Sequence, residues 1–411
     1  MNHSDDIRHL ADCQPCRERF TRNVLPFDAA RRRAGAREFA AAAARIANER
    51  ESAAGIVASE LQRVPVEKWP SLAESPALRN NAALEQMSEE VRKRIERKPV
   101  EALAIANVAA AIAESLPANV YPPAVMGQIR STALRDRANA LRYLGRFDEA
   151  FDAIETAEAR LGEFAGAAHD RAIVWFVKSM ILGQMDHFEE AERVITAASV
   201  VFADVNDLTR FFQAGLVYGN LLGRQKRYEE AQRVYLDLLT VAKSTGDTET
   251  EARLYNNLGH CAIYVDDFAG ANVHFSESIA RFTDLGLRAE VPRTNLGAAL
   301  VLIGKSQVDS GLARLEAARH EFIALGMMGE AGLCALRIIE VLIDRGDTQQ
   351  ARTLTGTVIG EFEAAGLDTR AVQAVAGLQS SIDADGATGE AVRTVHEFVQ
   401  RLATDQAAGA S

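Results

Sequence analysis

The segment Ser244-Thr-Gly-Asp247 has counterparts every 40 residues, at Asp284-Leu-Gly-Leu287, Ala324-Leu-Gly-Met327 and Ala364-Ala-Gly-Leu367. The glycines of these segments, Gly246, Gly286, Gly326 and Gly366, therefore keep one register. Asn206 takes the same position one period earlier. A phenylalanine lies four residues before Asn206, Gly286, Gly326 and Gly366, at Phe202, Phe282, Phe322 and Phe362. The exception is Ala242, four residues before Gly246. A fixed period of this size is typical of a repeat array.

A second series lies half a period away and consists of a turn, an aromatic residue, two polar residues and an alanine. Its copies are Gly145-Arg-Phe-Asp-Glu-Ala150, Asp186-His-Phe-Glu-Glu-Ala191, Lys226-Arg-Tyr-Glu-Glu-Ala231, Asp266-Asp-Phe-Ala-Gly-Ala271 and Gly346-Asp-Thr-Gln-Gln-Ala351, with a looser copy ending near Gly311. Each copy separates two apolar-periodic runs, which predicts helix, turn, helix. We expect the alanines where two helix backbones approach closely. We expect the glycines of the first series to end the second helices.

These motifs resemble the tetratricopeptide repeat, which has a small residue in its first helix and an aromatic before an alanine in its second. Ala138, Gly219, Gly259 and Gly297 occupy the small position. The resemblance covers roughly two-thirds of the chain, and the period of about 40 exceeds the usual 34, so longer helices are expected. It implies an all-α, right-handed superhelix of about six to seven helical hairpins with a concave and a convex face, preceded by a small helical appendage.

The pattern predicts a zinc-motif segment at 1–25, a helical linker region at 26–80 and the superhelix at 81–382. A C-terminal helix at 389–404 and a disordered tail at 405–411 follow. The net charge of −11 gives no general attraction to nucleic acid or membrane. We find no signal-peptide pattern and no apolar run long enough for a transmembrane helix, so a cytoplasmic location is expected.

The N-terminal segment contains the motif His9-Leu-Ala-Asp-Cys13-Gln-Pro-Cys16. Two thiolates from Cys13 and Cys16 can bind one metal, His9 can add a nitrogen ligand, and this donor set favours Zn²⁺. The string is similar to the signature of zinc-binding anti-sigma factors, which implies a sigma factor as partner. In that family a further ligand comes from upstream, and His3 is the nearby substitute here.

Two alternatives to zinc remain for this motif. A redox-active Cys-x-x-Cys pair of the thioredoxin type would require a β-strand before the motif and a β-sheet packed behind it. A degenerate remnant would bind nothing. Haem attachment is not expected, because Arg17 stands where a histidine would be needed.

Residues 17–50 carry nine arginines against four acidic residues. They either contact RNA polymerase, nucleic acid or an acidic partner helix, or form the solvated face of an alanine-rich helix. We favour the solvated face, because no aromatic residues interleave with the arginines as in a nucleic-acid groove. No direct DNA binding is expected.

The concave face is the better candidate for a binding site. If the family pattern transfers, its groove-facing residues are Arg135, Asn139, Arg142, Asn220, Arg224, Arg253, Asn256, His260 and Tyr264. Asparagine both donates to and accepts from a peptide backbone, and arginine pairs with carboxylates, so an extended, acidic or C-terminal peptide is the expected ligand. The alternative is that these are solvated polar residues without a ligand.

Catalytic motifs are not found in the sequence: there is no HExxH, nucleophile elbow or Walker loop. We therefore expect a binding protein and not an enzyme. One hypothesis is a regulatory scaffold that binds a protein or peptide and is linked to sigma-factor control through the zinc motif. The other is a sensor resembling the peptide-pheromone receptors, with a vestigial zinc motif.

The first prediction concerns the metal. Protein purified without added metal or affinity histidines should contain about one zinc per chain, because three ligands of the right type stand close together. Replacing Cys13 and Cys16 together by serine should remove the zinc and leave the helical circular-dichroism signal unchanged. A large loss of helical signal in the double variant would show that the motif and the repeats fold together.

Overall fold

The regular elements are all helical over the residues that the computed structural model describes, which are 36–406 except 53–54, 96–97, 163–166 and 366–368. The predicted all-α class is confirmed. The motif residues His3, His9, Cys13 and Cys16, and also Gly366, lie outside the described residues. The described residues form two compact units, a first one that ends at Leu221 and a second one that spans Leu222–Gln406.

The first unit holds the first eight helices and two short 3₁₀ helices. These are α1 (Ala36–Ser52), α2 (Ile56–Arg63), the 3₁₀ helices Val66–Glu74 and Pro76–Leu78, α3 (Asn81–Arg94), α4 (Pro99–Ser115), α5 (Pro123–Tyr143), α6 (Phe147–Leu161), α7 (Ala168–Gln184) and α8 (Phe188–Asp204). The boundary between the units falls within α9, Leu208–Arg224. Consecutive helices from α3 to α8 pack in hairpins, with α5 against α6 and α7 against α8.

The segment predicted as a linker at 26–80 contributes to the core of the first unit. Trp69, Leu72 and Leu78 are buried there, and the indole N–H of Trp69 donates to the carbonyl of Val64 at 2.9 Å. Proline prevents one continuous helix in this stretch, so the chain turns in 3₁₀ helices and brings these apolar side chains inward. Region 56–78 is therefore part of the folded unit.

A buried tyrosine ties the loop before α5 to two earlier helices. The hydroxyl of Tyr121 donates to the carboxylate of Glu49 at 2.6 Å and accepts the amide N–H of Asn81 at 3.0 Å. Burial, followed by the hydrogen bond to Glu49, raises the pKa of Tyr121 to about 12. The insertion between α4 and α5 is thus fixed to α1 and α3.

The second unit continues the hairpins from the end of α9. Its helices are α10 (Tyr228–Thr245), α11 (Thr248–Tyr264), α12 (Phe268–Asp284), α13 (Glu290–Gly304), α14 (Val308–Ala324), α15 (Met328–Arg345), α16 (Thr348–Ala364), α17 (Thr369–Asp383) and α18 (Gly389–Gln406). Helices α11 and α12, α13 and α14, and α15 and α16 form hairpins. The C-terminal helix predicted at 389–404 corresponds to α18.

Each helix from α7 to α15 ends in a residue with left-handed backbone conformation, and these residues are evenly spaced along the chain. They are Asp186, Asn206, Lys226, Gly246, Asp266, Gly286, Ser306, Gly326 and Gly346. At Gly326, the residue's own N–H donates to the carbonyl of Ile323 and the N–H of Met327 donates to that of Phe322, at 3.0 and 2.9 Å. This pair of hydrogen bonds closes the last turn of a helix. The predicted role of the described glycines is confirmed.

Small residues mark the closest approach of paired helices, as predicted. Ala150, Ala191, Ala231, Ala271 and Ala351 are fully buried. Gly311 takes the same position in α14, where an added Cβ would lie 3.2 Å from the carbonyl oxygen of Ala299. The small residues of the first helices accommodate aromatic rings: a Cβ on Gly259 would lie 2.7 Å from the ring of Phe275. Larger side chains at either place would overpack the hairpin.

The second prediction tests the left-handed turns. Ser306→Gly should raise the free energy of unfolding by roughly 0.5–1 kcal/mol, because a side chain is strained at the positive φ of this exposed turn. Gly326→Ala should lower it by about 1 kcal/mol, although open space surrounds that position. Urea unfolding measures both.

The matched control is Glu316→Gly, at an exposed position inside α14. It should destabilise by about 1 kcal/mol, because glycine disfavours a helix interior. Equal effects of Ser306→Gly and Glu316→Gly would contradict the role assigned to the turn.

Candidate functional site

The residues predicted to face a groove lie on the first helices of their hairpins, in both units. Arg135, Asn139 and Arg142 are on α5 in the first unit, and Arg253, Asn256, His260 and Tyr264 are on α11 in the second. Asn220 and Arg224 are exposed on α9, on either side of the unit boundary. The assignment of these residues to peptide binding stays a prediction.

Arg142 is a half-buried cation on α5. Its Nε donates to Oδ1 of Asn139 at 3.0 Å, and its guanidinium carbon lies 4.4 Å from the ring centroid of Tyr143. No carboxylate among the described residues forms an ion pair with it. Burial lowers the pKa of Arg142, but arginine stays protonated in proteins. The arrangement favours an anion supplied from outside the unit.

Arg135, on the same helix, already has its anion. Its Nη2 lies 2.6 Å from Oδ1 of Asp136, and Asp136 also accepts a hydrogen bond from the hydroxyl of Ser88. Asp136 and Ser88 are both buried. A ligand that captured Arg135 would leave a buried carboxylate without its charged partner, which costs several kcal/mol.

Arg135 and Asp136 line a cleft of about 410 Å³ in the first unit. Residues of α3, α4 and α5 form most of its walls. Its charged side chains have partners on the protein, since Glu85 binds Arg50, Arg92 binds Glu89 and Asp170 accepts from Gln128. Among the described residues, the charged side chains that line the cleft therefore already have hydrogen-bond partners on the protein.

An exposed aromatic stack stands at the end of α11 in the second unit. The rings of Tyr228 and Tyr264 are nearly parallel, with an interplanar angle of 8° and centroids 4.5 Å apart. Tyr264 is 64% exposed. An amphipathic ring in this position can cover an apolar side chain or a peptide plane of a ligand. The prediction named Tyr264 for the groove, but it did not include the stack with Tyr228.

The remaining predicted residues of α11 differ in their surroundings. Arg253 is paired with Glu249 at 2.9 Å. Oδ1 of Asn256 is buried and accepts no hydrogen bond within the described part of the chain. His260 instead packs its ring edge against Phe275, with centroids 5.1 Å apart, and burial lowers its pKa. His260 thus contributes to the core of its hairpin.

Two acidic residues on α15 occupy the register positions of His260 and Tyr264. They are Glu340 and Asp344, two repeat periods further along the chain. Oε1 of Glu340 lies 2.7 Å from Nη1 of Arg393 on α18, and its Oε2 lies 2.9 Å from Nη1 of Arg337. The repeat period would have identified both residues, because the repeat carries one face from helix to helix.

Metal ligands do not cluster in the part of the chain that the structure describes: no group of three or more His, Cys, Asp or Glu residues is placed to hold an ion. Cys261 and Cys334 are buried free thiols, and burial raises their pKa values to about 11 and about 12. Zinc at the N-terminal motif stays a prediction. Among the described helices, none is both long and apolar enough to cross a membrane.

No known protein family and no curated protein matches the chain. Its fold is similar to that of solved structures. The apo form of NprR from B. thuringiensis has a TM-score of 0.52 and 11% identity, over 87% of this chain and 97% of NprR. A STAND protein from Pyrococcus horikoshii with a tetratricopeptide repeat sensor has a TM-score of 0.53 and 12% identity, over 86% of this chain. This chain spans about half (52%) of that protein.

At these identities the similarity establishes the fold alone. The described hairpins and the tetratricopeptide-repeat structure among the similar proteins confirm the predicted all-α, tetratricopeptide-like fold class. The ligand that the site can bind depends on this chain's own side chains.

The third prediction concerns pH and His396. Burial between α15 and α18, followed by the charge of Arg337, lowers the pKa of His396 to about 4, against the opposing effect of Glu340. Since the unfolded state takes up the proton first, stability is complete above pH 6.5 and falls as the pH drops towards 4. The loss is on the order of 3 kcal/mol.

Amide hydrogen exchange in α18 between pH 7 and pH 4, corrected for intrinsic rates, measures this loss. His396→Gln is the matched control, because its neutral side chain does not titrate in this range. If the variant and the wild type lose protection in parallel, His396 is not the group responsible.

Proposed function

We propose that this protein is a cytoplasmic, peptide-binding regulatory scaffold whose first helices recognise a carboxylate-bearing peptide segment. The observation that carries the proposal is Arg142, a half-buried guanidinium with no acidic partner among the described residues. A hydrogen bond between charged groups contributes about 1.5–3 kcal/mol. Arg142 can form one with a ligand without giving up an existing ion pair.

Asn139 supports the same site. Its Oδ1 accepts from the Nε of Arg142, and Tyr143 also contacts the guanidinium. The remaining N–H groups of Arg142 can bind a carboxylate, and the amide N–H₂ of Asn139 can donate to a peptide carbonyl. A carboxylate and a backbone carbonyl lie close together at the C-terminus of a peptide and beside an acidic residue. The ligand class is therefore an acidic or C-terminal peptide segment.

The second unit offers contacts of a different kind. The exposed Tyr228–Tyr264 stack suits an apolar side chain of a ligand. This stack supports peptide binding independently of Arg142.

The described residues with strongly shifted pKa values support binding over catalysis. Burial is the main cause of the largest shifts, which are those of Tyr121, Tyr235, Cys261, Cys334 and His396, and of these residues only Tyr235 and Cys261 interact with each other. An active site would gather such groups around one cleft.

The similar fold of NprR is compatible with this proposal. NprR is described as a quorum sensor and has been solved in complex with its cognate peptide NprX. A peptide-sensing receptor is therefore our preferred form of the regulatory function, and the N-terminal motif is then an accessory site for Zn²⁺. A sigma factor as partner depends on that motif, and no contact among the described residues favours it.

The fourth prediction tests the carboxylate site with defined probes. A pool of fluorescein-labelled octapeptides, randomised except for two acidic residues and a free C-terminus, should bind the full-length protein. Arg142→Gln should weaken binding about tenfold or more, because the charged hydrogen bond is lost while the aliphatic part of the side chain up to Cδ is kept. Fluorescence anisotropy measures the change.

Arg146→Gln is the control variant, since Arg146 is exposed and paired with Glu149 at 2.7 Å. It should change the affinity less than twofold, as expected for an exposed ion pair. A second pool, with amides in place of all carboxylates, should bind the wild type no more tightly than the acidic pool binds the Arg142→Gln variant. Equal binding of both pools to the wild type would overturn the proposed function.

A further inference from the structure

The last described helix, α18, does not pair with its predecessor as the other second helices do. In the hairpins α11–α12, α13–α14 and α15–α16, the second helix packs closely against its own first helix. Helix α18 instead packs more extensively against α15 than against α17. The chain therefore folds its own end back onto the first helix of the preceding hairpin.

The face of α15 that α18 covers is in register with two residues of α11 that were predicted to face a groove. Glu340 and Asp344 stand in register with His260 and Tyr264 of α11. Arg393 of α18 pairs with Glu340 at 2.7 Å. Helix α18 begins directly beside Asp344, since a Cβ built on Gly389 would lie 2.8 Å from the carboxyl carbon of Asp344.

An amphipathic pattern on α18 makes this contact. Val392 and Val399 are buried, and Val395 and Phe398 pack partly buried against the same core. Arg393 stands next to the first of these valines and meets the acidic end of α15. The complementary surfaces are thus an apolar stripe with one arginine on α18 and an apolar, acidic face on α15.

One buried group in this contact is not satisfied. His396 is buried between the two helices, and its Nδ1 has no hydrogen-bond partner within the described part of the chain. A buried polar group without a partner is destabilising. The ion pair of Arg393 is half exposed, and such pairs contribute little to stability. The docking of α18 is therefore weaker than its buried valines alone would make it.

From this geometry we infer that the Glu340–Asp344 face of α15 is a binding site for an amphipathic helix carrying an arginine, and that α18 fills this site in exchangeable form. The inference rests on the proposed function in that the first-helix faces are taken as ligand-binding surfaces. A partner helix with the apolar and basic pattern of α18 competes with α18 for the site. The tethered α18 acts at an effective concentration of about millimolar, so it excludes weak partners.

The test uses the full-length protein and a fluorescein-labelled synthetic peptide of residues 387–406. In the release variant, Val392→Asp with Arg393→Glu, the chain's own α18 should leave α15. The peptide should then bind the release variant at least about tenfold more tightly than the wild type. Adding Glu340→Lys to the release variant should abolish that gain.

The control variant is Glu397→Lys, which changes the charge of α18 at an exposed position and should bind the peptide as weakly as the wild type. Circular dichroism and thermal unfolding check that the release variant is folded. If the release variant is not folded, the single variant Arg393→Glu is used instead. Amide hydrogen exchange in α18 is then measured as a second readout beside peptide binding. Faster exchange confined to α18, together with tighter peptide binding, is the expected result.

The inference is overturned if the folded release variant binds the peptide no more tightly than the wild type, or if Glu340→Lys has no effect. The acidic peptide pools test Arg142 in the first unit and do not depend on α18. Failure of those pools with success of the 387–406 peptide would reject the carboxylate site alone. Binding of the acidic pools together with failure of the 387–406 peptide would reject the α18 site alone.

Discussion

One backbone conformation, repeated twice in each period of the sequence, determines the placement of the other features of this chain. A residue at positive φ ends each helix from α7 to α15, and two hydrogen bonds close the last turn around it. Because these turns follow one another at equal intervals, a side chain one full period along occupies the same face of the next hairpin. The buried alanines, the buried phenylalanines and the polar residues of the first helices all keep this register.

The sequence revealed only part of this pattern, and the reason is chemical. Glycine marks the turns at Gly246, Gly286 and Gly326, so a glycine series with the full repeat period was visible. Asp186, Asn206, Lys226, Asp266 and Ser306 adopt the same conformation in other turns. Their left-handed backbone is imposed by the packing of the helices on either side, and no glycine signals it. The glycine register predicted the turn at Asn206. The series of an aromatic, two polar residues and an alanine predicted those at Asp186, Lys226 and Asp266, and its looser copy the one at Ser306.

Register fixes which residues share a helix face, but it does not fix what each residue contacts. His260 was placed on the groove face with Tyr264. Its ring packs against Phe275, because the nearby glycines Gly259 and Gly297 leave room for an aromatic ring beside it. The packing of α18 on α15 joins residues that are more than one repeat period apart, and no local pattern encodes such a contact. Both features depend on tertiary packing, which local patterns describe poorly.

The arginines of the first helices differ in what a ligand would have to displace. A carboxylate that binds Arg253 must compete with Glu249 for an exposed pair that contributes at most about 1 kcal/mol. One that binds Arg135 must separate it from buried Asp136, at a cost of several kcal/mol. Arg142 has no acidic partner to lose among the described residues. The same residue type at three groove positions therefore gives three different expected affinities, and exposure alone would have ranked Arg253 first.

The same reasoning explains why the contact between α15 and α18 can be exchanged. Burying the side chains of Val392 and Val399 contributes about 1.5–3 kcal/mol each. The unpartnered Nδ1 of His396 opposes this by about 1–3 kcal/mol, and the helix must also be ordered. A partner helix with an apolar residue in place of His396 would keep the apolar contacts and avoid this cost. Such a helix would bind the face of α15 more favourably, residue for residue, than the chain's own end does.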